Sequence, residues 1–317
     1  MYGFQKHLSA DFPSQIVVDT TERCNLACIH CPHADLTAKG VLGNVFLDVA
    51  LHNKMIDEVA VDGRGICRYL RYTGQGETMM HPRIFEMLGY AVDRAGTAIN
   101  VTTNGTLLGE TQARRLLDAG VHVVDISIDA LSDATYALVR RNGKLEKTRG
   151  NVLRLLEFKQ RGGYGTRVVV SFVEQPQNRE EAEAFERFWR DAGADYVVIR
   201  RQHSAGGTKK ELVSAPLLRY PCLYPWERIT LGPNGLLHYC PQDWVHGSEI
   251  ADFRTTTIKA VWLGEVMQML REAHLRNEFG NHDFCGQCPD WSTTRWPEEG
   301  ASYSDLMQRA VDANQEN

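Results

Sequence analysis

Between residues 15 and 200 the chain alternates short apolar runs with amphipathic stretches of helical period. No other feature restricts its fold as much. The runs "QIVVD" (15–19), "YLRYT" (69–73), "AINVTT" (98–103), "HVVDISID" (122–129), "RVVVSFV" (167–173) and "YVVIR" (196–200) read as strands. Helical patterns lie between them at 47–60, 83–96, 110–120, 145–162 and 179–193. Strands separated by helices pair in parallel through crossovers. Six such units predict an α/β fold, a partial (β/α)6 TIM-like barrel short of the closed eightfold form. A doubly wound open sheet is the alternative. In both, ligands collect at the C-terminal ends of the strands. There the sequence places "TERCNLAC" after the first strand, "GQGE" after the second and "TNG" after the third.

Past residue 205 the pattern changes. "RYPCLYPWERITLGPNGLLHYCPQDW" holds two short β runs around "PNG", a hairpin signal. A helix is expected from 258 to 276, then "CGQC" at 285–288. The predicted domains are therefore a barrel (1–210), a small metal-organised hairpin-plus-helix unit (211–297) and a polar peripheral tail (298–317).

Composition removes several function classes. The net charge of −5 does not favour a nucleic-acid partner. No apolar run is long enough to span a membrane. The N-terminus lacks a basic start followed by an apolar stretch, so no signal peptide is expected. A cytoplasmic location follows as the expectation, and there structural disulfides are disfavoured. Eight cysteines in such a chain point to metal or redox chemistry.

Cys24, Cys28 and Cys31 are spaced C-x3-C-x2-C. Three thiolates on one loop can hold three corners of a cubic iron–sulfur cluster and leave one iron open to an outside ligand. The same three with His30 or His33 could instead bind zinc.

"CNLACIHC" after strand one, "YTGQGET" at the end of strand two and "TTNGTLL" at the end of strand three together resemble the radical S-adenosylmethionine (SAM) superfamily. The resemblance covers residues 15 to about 200. It implies that Cys24, Cys28 and Cys31 bind a [4Fe–4S] cluster whose fourth iron chelates SAM. His30 fills a slot where many members carry an aromatic residue. The resemblance further implies that Gly74, Gly76 and Glu77 form the segment receiving the SAM amino group, and that Thr103 and Asn104 line the SAM pocket. Ser127 and Asp129 would meet the ribose or carboxylate, and Arg140 or Arg141 the carboxylate. A plain glycine turn and a solvated helix face are the ordinary readings of "GQGE" and of the two arginines.

Cys222, Cys240, Cys285 and Cys288 follow as C-x17-C-x44-C-x2-C, suited to structural zinc or to a second [4Fe–4S] cluster. Beside the first set they resemble the auxiliary-cluster extensions called SPASM and twitch. Four cysteines fit the one-cluster twitch form, and the spacing resembles that of the twitch-type aminocyclitol dehydrogenase of butirosin biosynthesis. Cys67, left over at the start of strand two, reads as a small buried hydrophobe. A hydrogen-atom donor is its sharper alternative.

The resemblance implies that a 5′-deoxyadenosyl radical takes hydrogen from a small-molecule substrate, sugar-like or aminocyclitol. An alcohol would become a carbonyl, the auxiliary cluster accepting an electron, and a flavodoxin or ferredoxin would be the external donor. A base is then needed. The candidates are Arg201 and His203 just past strand six, with Arg200 beside them, and Asp243 after Cys240. The rivals are an epimerase, which needs a donor thiol, a peptide-modifying enzyme, and a zinc-stabilised binding protein. Only 23 residues precede Cys24, which counts against an N-terminal peptide-recognition domain.

Overall fold

The computed structural model describes residues 11–209, 219–280 and 282–293. The domain boundary expected near 210 and the tail expected from 298 lie outside the described residues. The first part runs β1 (Gln15–Val18), β2 (Ala27–Cys28), α1 (His33–Ala38), α2 (Val49–Val61), β3 (Tyr69–Tyr72), α3 (Ile84–Arg94), β4 (Ala98–Thr103), α4 (Glu110–Asp118), β5 (Val123–Ser127), α5 (Asp133–Val139), β6 (Arg140–Arg141), α6 (Leu145–Gly162), β7 (Arg167–Glu174), α7 (Ala182–Asp191) and β8 (Tyr196–Arg201). The second runs α8 (Tyr224–Glu227), β9 (Arg228–Leu231), β10 (Leu236–His238), β11 (Glu249–Asp252), α9 (Ile258–Leu263), α10 (Glu265–Arg276) and α11 (Asp283–Gln287).

The six expected strands, β1, β3, β4, β5, β7 and β8, pair in parallel in chain order. One face of this sheet, with Ile16, Leu70, Ile99, Val124 and Val170, packs on Met55 and Ile56 of α2, Leu88 of α3, Leu116 of α4, Leu155 of α6 and Phe185 of α7. All the crossover helices therefore share one face, which is the barrel arrangement rather than the doubly wound one. The other face begins with a small apolar layer of Tyr69, Ala98, Val123 and Val169, flanked by Tyr196 and Val198. It forms the floor of a lumen.

The C-terminal hairpin is β9 and β10, antiparallel around Gly232–Gly235 as the "PNG" signal predicts. Its docking was not legible: β9 pairs in parallel with β1, and β11 extends the sheet beyond β10. The two parts therefore share one sheet of nine strands. The helix expected over 258–276 is two helices, broken at Gly264, whose ψ of 164° is extended. Thr257 caps the first by accepting from the Ala260 N–H. Cys67 is buried in the helix-facing core just before β3, at the end of the strand away from the cysteine loops, as a small hydrophobe would be.

Candidate active site

The loop after β1 carries Cys24, Cys28 and Cys31. Its two-residue strand β2 pairs antiparallel with β6, setting Cys28 opposite Arg140. The Arg140 guanidinium lies 3.6 Å from Cys28 Sγ and 2.6 Å from Asp129 Oδ2. Asp129 is fully buried in a left-handed turn (φ 64°), and its Oδ1 accepts from the Val173 N–H at 2.7 Å. Asp129 thus holds Arg140 through an ion pair at Oδ2 while Oδ1 is bonded to the backbone of β7. Arg141, by contrast, is exposed. Ser127 is half-buried at the end of β5, in register with Ser171.

The three motifs separated in sequence are stitched together here. Glu77, buried, accepts from Thr103 Oγ1 at 2.6 Å, the Asn104 N–H at 2.7 Å and the Met79 N–H at 3.1 Å, while its own N–H donates to the Arg23 carbonyl. Asn104 Nδ2 donates to Asn25 Oδ1, and Asn25 Nδ2 donates to Thr106 Oγ1. Gly74 and Gly76 permit a close approach of the chain to itself. A Cβ at Gly74 would lie 2.0 Å from Asp19 Cγ, and one at Gly76 2.2 Å from the Thr21 carbonyl oxygen. Asn25 and Asp19 went unread in the sequence, because an Asn or Asp after a strand is an ordinary turn residue.

His33 donates from Nε2 to the Glu22 carbonyl at 2.7 Å, and His30 Nδ1 accepts from Gln175 Nε2 at 3.2 Å. Among the described residues, only His238, His246 and Glu249 bring three ligand atoms within 4.8 Å of one another. Neither cysteine set does so. A tetrahedral zinc needs its thiolates about 3.8 Å apart, so neither set is gathered as it would be on one ion. Burial pushes the thiols of Cys24 and Cys31 up to about 11 and about 12. Thiols so held give up their protons as metal binds.

Cys222, Cys240, Cys285 and Cys288 all line one small cavity, together with Arg219 and His274. The Gln242 and Asp290 N–H groups donate to Cys240 Sγ and Cys288 Sγ, each at 3.4 Å. Such donors favour the thiolate form and tune a bound cluster. Beneath, Tyr239, Trp262, Met267 and Leu270 pack around Cys285.

The loop after β8 reaches toward both cysteine sets. Leu36, Leu42, Ala205 and Trp244 form one apolar cluster against Cys31. Asp290 accepts from the Ser204 and Gly206 N–H groups at 2.6 and 2.8 Å, tying the loop after β8 to the segment after Cys288.

Above its apolar floor the lumen turns polar. Arg200 Nη2 donates to Asp125 Oδ2 at 2.5 Å and to Ser171 Oγ at 2.9 Å, and Arg71 lies 3.9 Å from the same carboxylate. Asn100 has the lumen parity of Ala98 on β4. Of the candidate bases, Arg201 is exposed on the opposite strand parity from Arg200 and does not reach the lumen. Asp243 is also set aside. Its carboxylate accepts from Ser248 N and Oγ and from the Gly247 and Val245 N–H groups. Burial raises its pKa, but His238 and these donors outweigh that and hold it at about 2. It braces the Cys240 loop. His203 stands among Arg200, Arg71 and Asp290, and burial lowers its pKa. Its Nδ1 accepts from the Ala205 N–H at 3.1 Å, so the neutral ring carries its proton on Nε2.

No described helix is long and apolar enough to cross a membrane.

Comparison with known proteins matches residues 18–188 to the Radical SAM superfamily and residues 222–289 to an iron–sulfur cluster-binding domain, SPASM. An AdoMet-dependent heme synthase of Methanosarcina barkeri is 37% identical over 149 residues, covering 46% of this chain and 40% of the relative. A GTP 3',8-cyclase of Chlorobaculum tepidum is 33% identical over 140 residues, covering 44% and 40%. The chain thus spans well under two thirds of these two relatives. A tungsten-containing aldehyde ferredoxin oxidoreductase cofactor-modifying protein of Pyrococcus furiosus is 22% identical over 83% of this chain and 73% of its own. Among solved structures, BtrN in complex with AdoMet and 2-DOIA superposes with a TM-score of 0.59 at 15% identity, over 87% of this chain and 92% of BtrN. Streptococcus suis SuiB bound to precursor peptide SuiA gives 0.66 at 13%, over 96% and 75%. These two likenesses speak for the fold. Since the first family match spans more than half of the chain, the protein belongs to the radical SAM superfamily, whose members hold a [4Fe–4S] cluster and SAM, and it carries a SPASM iron–sulfur domain behind its partial barrel.

Proposed function

We propose that this chain is a radical SAM oxidoreductase of the dehydrogenase type, oxidising an alcohol carbon of a small sugar-like or aminocyclitol molecule. The observation that carries the reading is the cavity ringed by Cys222, Cys240, Cys285 and Cys288. Four protein thiols leave a cluster there no open iron for substrate, which suits an electron acceptor better than a binding site. A connection between the two sets supports it: Ala205 packs in the apolar cluster against Cys31, and its neighbours Ser204 and Gly206 donate to Asp290 in the lining of that cavity.

When bound, the cofactors supply a 5′-deoxyadenosyl radical as hydrogen acceptor and a second cluster as electron acceptor, so that a carbinol loses one hydrogen atom, one electron and one proton. Cys24, Cys28 and Cys31 would hold the first cluster, and the net of Glu77, Thr103, Asn104 and Asn25 fixes the walls beside it. The polar lumen of Arg71, Asp125, Ser171 and Arg200 would orient a hydroxyl-rich substrate. His203, presenting a donor at Nε2, would hold the reacting hydroxyl and leave its proton to water at the lumen mouth, where Arg200 is partly exposed. Gly74, Gly76, Ser127 and Arg140 complete the SAM side on this reading, Arg140 as the partner of Cys28. An external flavodoxin or ferredoxin would reduce the first cluster.

The test is anaerobic reconstitution with iron and sulfide, wild type beside a Cys24/Cys28/Cys31→Ala variant. Two clusters give about eight iron in the wild type and about four in the variant. The wild type is then screened on amino sugars and cyclitols for SAM-dependent carbonyl formation. About four iron in the wild type and none in the variant removes the second cluster and with it the dehydrogenase reading.

A further inference from the structure

We propose a third metal site, separate from both cysteine sets and independent of the dehydrogenase reading: a zinc-class divalent ion held by His238, His246 and Glu249. Their ligand atoms lie within 4.8 Å of one another, near the span of donors bound to one ion at about 2.0–2.2 Å. His238 ends β10 and Glu249 begins β11 opposite it in the ladder, beside a register shift that re-aims the strand. His246 comes from the loop between them.

Two observations point to an ion. His246 Nδ1 stands 3.1 Å from Glu249 Oε1, yet this buried nitrogen makes no hydrogen bond among the described residues. The two atoms are close without donor–acceptor geometry, as neighbouring ligands of one metal are. His238 also has a carboxylate behind its other nitrogen, Asp243 Oδ2 at 3.5 Å from Nδ1, and Glu22 Oε1 stands farther off, 4.0 Å from His246 Nε2. Carboxylate-backed histidines are the usual outer shell of metal sites, because the carboxylate fixes the tautomer and raises ligand basicity. The Asp243 contact leaves His238 Nε2 as one ligand atom, and the approach to Glu249 makes His246 Nδ1 the other. Gly232 keeps space open beside the former, since a Cβ there would come within 2.8 Å of it. Two imidazoles and one carboxylate are a donor set suited to zinc.

Such an ion would staple the loop that carries Cys240. Through Glu22 it would also reach the segment just before Cys24, bracing both cysteine loops from one point.

In the test, cluster-loaded protein is exposed to zinc and passed over a weak chelator. It is then assayed for zinc and iron beside His246→Asn and Glu249→Gln. Asparagine tolerates the left-handed backbone of His246 (φ 60°). The wild type should retain one zinc per chain with an X-ray absorption shell of nitrogen and oxygen at about 2.0–2.1 Å. Both variants should lose it at least about tenfold with iron unchanged, the usual effect of removing a ligand being no smaller than that of removing its outer-shell partner. A shell containing sulfur at about 2.3 Å, zinc retained by both variants, or no zinc in the wild type overturns the site. Glu249 is partly exposed, so Glu249→Gln alone decides the matter should His246→Asn fail to fold.

Discussion

Gln75 Nε2 donates to the backbone carbonyl of Asp243 at 2.7 Å, joining the glycine-rich turn of the barrel to the loop that follows Cys240. Both residues are buried. Replacing Gln75 by Leu leaves that carbonyl without its donor, which costs about 1–3 kcal/mol. The expected outcome is a lower urea midpoint at unchanged slope, with the iron content of both cysteine sites kept. A loss of iron would show that the bond positions Cys240 rather than joining two finished parts.

Asp19 gives the barrel an inverted pH response. Burial pushes its carboxyl up from 3.8 to about 7, against hydrogen bonds from the Gln75 and Thr21 N–H groups. The folded state therefore keeps a proton that the unfolded chain has already released. Its contribution is fully present below about pH 4 and is lost as pH rises toward about 7, by at most about 1.4 kcal/mol per pH unit. Asp19→Asn imitates the protonated form. The stability difference, variant minus wild type, should grow between about pH 5 and about pH 7 when read by urea unfolding. A constant difference would show that Asp19 ionises normally in the fold.

Arg140 and Asp129 form a buried ion pair at 2.6 Å. Removing the arginine alone strands a buried carboxylate. Arg140→Met should therefore cost about 3–5 kcal/mol, while Arg140→Met with Asp129→Asn should recover a good part of it. Thermal unfolding of the cluster-free protein reads the cycle without the metal. Additive losses would mean that the pair contributes nothing beyond its two residues.

The cysteines were legible because each set announces itself by spacing, and the six strands because β-branched runs separated by helical periods have few other solutions. What stayed hidden was side-chain direction. In β8 both Tyr196–Val198–Arg200 and Val197–Ile199–Arg201 are apolar runs ending in arginine, so no alternation in the sequence marks which side faces the lumen. Parity alone decides that Arg200 enters the lumen and Arg201 does not. Arg71, Asp125 and Ser171 were overlooked for a related reason: single polar residues within apolar strands carry no local signal of a shared partner. The parallel pairing of β9 with β1 was hidden too, because a hairpin signal says how two strands meet each other and nothing of what the first docks against.

The same parity argument makes Arg201 the natural control for the lumen. Arg201→Ala should change kcat/KM less than about twofold, as an exposed side chain with no reach to the lumen should, and Arg200→Ala should lower it about a hundredfold or more by unpairing Asp125 and loosening the substrate. His203 separates two roles. As a hydroxyl-holding donor it is replaceable: His203→Gln, which can also donate, should keep much of the rate that His203→Ala loses, and the wild-type kcat/KM profile should lack a histidine limb. As a general base it would give a limb at its lowered pKa, and glutamine would rescue nothing. The bond from the Ala205 N–H to Nδ1 favours the first outcome, because it holds the ring in the tautomer whose outward nitrogen already carries a proton.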